Sequence, residues 1–180
     1  DGFKRCFRYA SWQAPDFRMI RAARSTDATD IAALWNWMIR DTLSTFTTEQ
    51  KTVDDIIVLI GARSGHFWVS EENGLLQGFA TFGPFRSGPG YRATCEHSVL
   101  VDPGRHGLGI GRALMETLLR AAKQDGYRIV VAAISGENRQ AVEFHTKIGF
   151  EQVGYIPQVG HKQDRWLDLV LMQKNLAERA

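Results

Sequence analysis

A chain of 180 residues has the length of one ordinary domain and can bury a full core without disulfide or metal staples. With 44% apolar and 23% charged residues, five Trp and ten Phe, it has a soluble globular composition with bulky material for a core or a pocket. A net charge of +2, evenly spread, gives no argument for a nucleic-acid partner, and no apolar run approaches the roughly 20 residues that span a bilayer.

Residues 1–18, DGFKRCFRYASWQAPDFR, mix cations and aromatics without an uninterrupted apolar stretch. They do not read as a signal peptide and are expected to form an N-terminal extension outside a core domain of residues 19–180. The periodic pattern opens with MIRAA, a short strand. Ser25 to Asp27 offer an N-cap, and Ile31, Leu34, Trp35 and Met38 then recur at helical spacing. STFTTEQ is polar and irregular, a loop. Thr52 is placed to cap a second helix whose face is Val53, Ile56, Ile57 and Ile60. GHFWVSEENGLLQGFATFGPF gives two strands joined at Asn73-Gly74, a strong hairpin signal. A Gly/Pro/Arg loop over 86–91 precedes the strand ATCEHSVLV. From about Gly109 to Lys123 a helix carries Ile110, Ala113, Leu114, Thr117, Leu118 and Ala121 on one face, with Gly126 ending it. YRIVVAAI is the near-continuous apolar run of a strand covered on both sides. NRQAVEFHTKI is a second short helix ending at Gly149, and two strands close the pattern, FEQVGYI and RWLDLVLMQ. The order implies one α/β domain: a mixed, largely antiparallel sheet with a parallel step near its middle and helices on its flanks. Cys6 and Cys95 form neither a metal spacing nor a disulfide framework, so a reducing cytoplasm is the expected compartment.

The densest signal is VLVDPGRHGLGIGRALMETLL, residues 99–119, where glycines alternate between a strand and a helix. Glycine lets backbone N–H groups approach a ligand closely, and the unpaired N–H groups of a helix start attract anions. The stretch therefore reads as a phosphate cradle; the plain alternative is a tight strand-to-helix turn without a ligand. Two familiar cradles fit poorly. No Lys-Ser/Thr pair follows the glycines, and Arg112 and Ala113 stand where a dinucleotide fingerprint needs a further glycine.

RHGLGIG resembles the Q/R-x-x-G-x-G/A loop of the GCN5-related N-acetyltransferases (GNAT), which holds the pyrophosphate of acetyl-CoA. The resemblance covers residues 19–176. More narrowly, STFTTE, GPFRSGPGYRATCEHSVLV, Asn138 with FHTKIGF, and GHKQDRWLDL are similar to the phosphinothricin and methionine sulfone/sulfoximine acetyltransferases. His106 departs from the wider motif, which carries Gln or Arg there. The resemblance implies a single GNAT-like domain in which a bulge splays two parallel strands, acetyl-CoA as co-substrate without a metal, a small-molecule amine as acceptor, and a homodimer.

Residue by residue, it implies that Glu96 is the general base, and local sequence agrees: TCEHSV sets a carboxylate in an otherwise apolar strand, costly unless useful or paired. A Glu on a solvated strand face is the other reading. Val99, Leu100 and Val101 would pair through their main chain with the pantetheine arm, their side chains being core on any reading. Gly107, Leu108, Gly109, Ile110, Gly111 and Arg112 would form the pyrophosphate loop and first helical turn, Arg112 being equally an ordinary exposed arginine. Asn138 is an N-cap on local grounds and, by resemblance, a pantetheine contact. His145, seven residues on, stands near the position of the family's thiolate-protonating residue, although a lone His on an amphipathic helix is more often structural. Arg86, Ser87, Gly88, Tyr91 and Arg92, with Phe46, would contact the acceptor; two arginines suit one bearing a carboxylate and a phosphinate or sulfonyl group. Thr47, Glu49 and Trp166 are further pocket candidates, Trp166 equally a core or dimer residue. Cys95 should point opposite to Glu96 and is no nucleophile. Rival readings keep the fold with a peptide N-terminus, polyamine or aminoglycoside as acceptor, or replace it by a dinucleotide-binding or non-catalytic acyl-CoA-binding domain.

Overall fold

The computed structural model describes residues 19–177, so the expectation for residues 1–18 lies outside it. Its strands are β1 (Met19–Ala22), β2 (Phe67–Glu72), β3 (Leu75–Pro84), β4 (Thr94–Val101), β5 (Ile129–Ser135), β6 (Glu151–Lys162) and β7 (Arg165–Asn175). Its helices are α1 (Ala28–Asp41), α2 (Val53–Ala62), α3 (Ile110–Gln124) and α4 (Arg139–Lys147). One seven-stranded sheet has the order β1-β2-β3-β4-β5-β7-β6, and only β4 and β5 run parallel. None of the described helices is long and apolar enough to cross a membrane.

Local chemistry sets most of the punctuation. Asn73 and Gly74 both take positive φ and close the β2–β3 hairpin. Thr52 Oγ1 accepts from Asp55 N at 3.1 Å while the Asp55 carboxylate accepts from Thr52 N at 2.7 Å, a reciprocal cap for α2. The N-cap expected at 25–27 takes another form. Ser25–Asp27 are a 3-10 turn, and the Asp27 carboxylate is engaged by Arg21 and by Arg24 N instead of the helix start.

The two sheet faces carry separate cores. Cys95, Ala80, Phe82, Val130 and Ala132 pack against Leu114, Met115 and Leu118 of α3 on one side. Phe67, Val69, Phe79 and Leu100 pack against Ile31, Trp35, Ile39 and Ile56 of α1 and α2 on the other. Fully buried side chains such as Phe79 and Leu114 each contribute about 1.5–3 kcal/mol relative to exposure. Two helical faces are narrower or rotated relative to expectation. α2 packs chiefly on α1, so Ile56 alone is buried while Val53 and Ile57 are exposed. On α3, Met115 and Ala122 are buried in place of Ala113, Thr117 and Ala121, which are half-buried. β6 runs beyond the expected Ile156 because Pro157 to Val159 fall in a register shift that the strand survives.

The parallel pair opens the site. β4 and β5 share only Thr94↔Ile129, Cys95↔Val130 and Glu96↔Val131. Beyond them β4 stays with β3 and β5 with β7, and the strands part. The bulge expected in β4 is not present: its register with β3 is unbroken from Gly78↔Val101 to Pro84↔Cys95. The splay arises because each strand keeps its own outer partner, without an inserted residue.

Candidate active site

On the α3/α4 side of the split lies a cleft of about 460 Å³, walled by Val99 and Val101, by Arg105 to Gly107, by Gly109 to Arg112, and by Asn138 and α4 through Ile148. Gly107 and Gly109 sit at φ 80°, in the left-handed region, which turns the chain sharply into α3. Gly109 is the N-cap and no side chain caps the helix, so the first N–H groups of α3 lack an intrahelical acceptor at the cleft wall. Arg105, Arg112 and Lys147 line the cleft, and among the described residues no carboxylate does. Arg105 and Arg112 lean toward Glu72 (3.4 Å) and Glu116 (3.9 Å), outside the lining. Cationic walls around an uncapped helix start favour a polyanion, and the β4 edge freed by β5 offers main-chain groups to an extended ligand. These residues fit a phosphorylated cofactor such as acetyl-CoA.

The expected cofactor residues Val99, Val101, Gly107, Gly109, Ile110, Gly111, Arg112 and Asn138 are thus brought together. Leu100 turns its side chain into the opposite core, and Leu108 is exposed at the loop tip. His106 Nε2 lies 3.2 Å from the Val101 carbonyl, tying the loop to the strand end. Asn138 caps α4 by accepting from Ala141 N at 3.0 Å and donates to Ser44 Oγ at 3.1 Å.

His145 is 4% exposed and reaches the same cleft. Its Nδ1 lies 2.7 Å from the Ala141 carbonyl and so carries the proton; its Nε2 faces His97 Nε2 at 3.2 Å and must accept. Both ring nitrogens are engaged. Burial pulls both imidazoles down, His97 to about 3, so the pair is neutral. His97 Nδ1 has no partner among the described residues.

Glu96 occupies the last parallel pair, on the other face of β4, where burial raises its carboxyl above the ordinary range and the cation of Arg63 partly offsets that. Alternation along β4 sets Cys95 in the opposite core, its thiol pushed up to about 12 by burial. The loop between α1 and α2 packs on β6. Lys162, 4% exposed, donates to the carbonyls of Thr42 (2.8 Å) and Thr45 (2.9 Å), and Phe46 covers Gly160 of β6 so closely that a side chain there would collide. Thr47 and Glu49 are exposed on this loop. Arg86, Ser87, Gly88, Tyr91 and Arg92 form an exposed loop beyond the start of β4, Arg86 stacking on Phe85 at 5.2 Å; none of them lines the cleft. Trp166 is 65% exposed, which removes its core reading.

Sequence reading passed over His97, Arg63 and Lys162. Alternation in EHSV does place His97 opposite Glu96, a signal that was legible. Arg63 and Lys162 carry none, because their partners are far along the chain.

A sheet split between two parallel strands, with an uncapped, cation-flanked helix start at the fork, is an arrangement suited to a phosphorylated carrier. Comparison agrees. The family model for acetyltransferases (GNAT) matches residues 31–150. The L-amino acid N-acyltransferase MnaT of Escherichia coli (strain K12) is 40% identical over 163 residues, covering 89% of this chain and 95% of that protein. An L-methionine sulfoximine/L-methionine sulfone acetyltransferase of Salmonella typhimurium is 38% identical over 164 residues, with 89% and 96% covered. The structure of yncA from Salmonella typhimurium with its cofactor acetyl-CoA has a TM-score of 0.87 at 37% identity, covering 91% of this chain and 96% of that one. This chain belongs to the GNAT family and is an acetyltransferase.

Proposed function

We propose that this protein moves acetyl from acetyl-CoA to the α-amino group of a small amino-acid-like acceptor of the methionine sulfone, methionine sulfoximine or phosphinothricin type. The carrying observation is the position of Glu96: a half-buried carboxylate at the fork, on the face opposite the cationic cleft. Bound in the cleft, acetyl-CoA would supply a thioester; attack by the amine nitrogen would form the amide as the C–S bond breaks, and the departing thiolate would take up the second proton that the nitrogen sheds. The uncapped start of α3, with Arg105, Arg112 and Lys147, holds the phosphates. Glu96 takes a proton from the acceptor ammonium and so exposes the nitrogen lone pair; its raised pKa makes it a stronger base than an ordinary glutamate. His145, with no proton free for a leaving group, serves by position, locking α4 to β4 through His97. Phe46 and the loop of Arg86 to Arg92 flank the acceptor, and the two arginines favour an anionic acceptor over a polyamine or aminoglycoside. The long edge strand β6 exposes Val153, Tyr155, Ile156 and Val159, and β7 exposes Trp166, apolar area suited to a second copy in a homodimer.

The test is thiol release from acetyl-CoA against methionine sulfone, methionine sulfoximine, phosphinothricin and a polyamine. Turnover with an amino-acid analogue, lost in Glu96→Gln while acetyl-CoA still binds, is the expected result. Full activity of Glu96→Gln removes the base, and turnover of the polyamine alone removes the acceptor class.

A further inference from the structure

Arg63, the residue following α2, has an unusual setting. Its guanidinium is partly buried and makes no ion pair among the described residues; its one hydrogen bond there is from Nη1 to Thr81 Oγ1 at 3.3 Å. The rest of the group lies over Gly83, with Nη2 3.0 Å and Cζ 3.1 Å from where a side chain on that glycine would begin. Gly83 is the cross-strand partner of Glu96. Directly opposed residues of an antiparallel pair point to the same face with their Cβ positions about 5 Å apart. The guanidinium therefore fills the space of the missing Gly83 side chain, immediately beside the carboxylate of Glu96. Two opposite charges stand next to each other on the acceptor face without closing on one another, and Nε and Nη2 of Arg63 have no acceptor among the described residues.

An α-amino acid carries its ammonium and its carboxylate on one carbon. The geometry points to Arg63 as the residue that receives the acceptor's α-carboxylate while Glu96 receives the amine, so that the pair selects zwitterionic acceptors. The inference rests on the proposed acceptor class and on Glu96 as base. The charges match in sense, Arg presents donors in a fork suited to a carboxylate, and a glycine opposite Glu96 leaves room for the guanidinium. A partly buried cation with open donors also gains from an anion that displaces its remaining water.

The test compares methionine sulfone with its α-carboxamide, which keeps the amine and removes the charge. In the wild-type protein kcat/KM should favour the carboxylate by roughly 10- to 100-fold, the range for losing one charge-assisted hydrogen-bond pair. In Arg63→Gln that preference should fall to near parity, chiefly through the acceptor KM, with the acetyl-CoA KM unchanged. Arg63→Lys, which keeps charge and bulk, should retain part of it and guards against a folding defect, read from thermal melting of both variants. Full preference in Arg63→Gln overturns the inference, as does an equal loss on both acceptors, which marks a role confined to Glu96 or to the fold. Absence of wild-type turnover on both acceptors is a separate result that removes the proposed acceptor class and this inference with it.

Discussion

Replacing Gly109 by valine tests the cradle without touching a side chain of the site. At φ 80° and ψ 0° the residue is left-handed, and nothing lies within 4 Å of the position a Cβ would take. The substitution therefore meets no neighbour, and its whole penalty is backbone strain, roughly 1–2 kcal/mol for an L-residue in this region and at the upper end for a β-branched one. An open loop sheds such strain by leaving the left-handed basin, which rotates the first N–H groups of α3 away from the cleft. Restoring them on binding then draws the same free energy from the affinity, a loss of roughly 5- to 30-fold in acetyl-CoA Kd. Gly126 supplies the control, with φ 82°, nothing within 4 Å, and a place past the far end of α3. Both valine variants should lower Tm by at most about 2–8 °C in a chain of this size, and by less to the extent that the loop sheds its strain. Calorimetric titration with acetyl-CoA should separate them: weaker binding in Gly109→Val, wild-type affinity in Gly126→Val. A Gly109→Val protein that melts lower yet binds within twofold of wild type would falsify the cradle.

Burial raises Glu96, and the proposed base must be unprotonated to act, so kcat/KM should climb with pH through an apparent pKa above the 4.5 of an ordinary glutamate. Arg63→Gln, which removes the cation that holds Glu96 down, should move that limb to still higher pH; a limb that moves downward refutes the electrostatic reading. Lys162→Met leaves the Thr42 and Thr45 carbonyls without their buried donor and should cost about 2–3 kcal/mol, raising the acceptor KM as the loop carrying Phe46 loosens. An acetyl-CoA KM that rises as much as the acceptor's would place Lys162 elsewhere in the reaction. His97 is depressed from 6.5 to about 3 on folding, so its contribution to stability is complete above pH 6.5 and is lost progressively as pH falls toward 3. His97→Phe should flatten the decline of Tm over that window, leaving the smaller share of His145; an unchanged slope assigns the acid sensitivity to other groups.

The parts of this protein legible in its sequence are those governed by near neighbours. The Asn73-Gly74 turn, the Thr52–Asp55 cap, the glycines opening α3 and the parallel step between strands all follow from residues a few positions apart, because φ preference, capping and periodicity are local. The cleft was legible for the same reason: its glycine-rich, cationic end is one continuous segment, Arg105 to Arg112. The proposed acceptor side and the walls around it are assembled from distance. Lys162 meets Thr42 across 120 residues, Asn138 meets Ser44 across 94, and His145 meets His97 across 48. Arg63 comes beside Glu96 only because strand pairing sets Gly83 opposite it. Sequence thus determined that a helix would begin with bare amides after a strand ending in this glycine-rich turn. Tertiary packing decided which charges, carbonyls and imidazoles face each other around the fork, since those meetings depend on sheet order and register, which no local preference encodes.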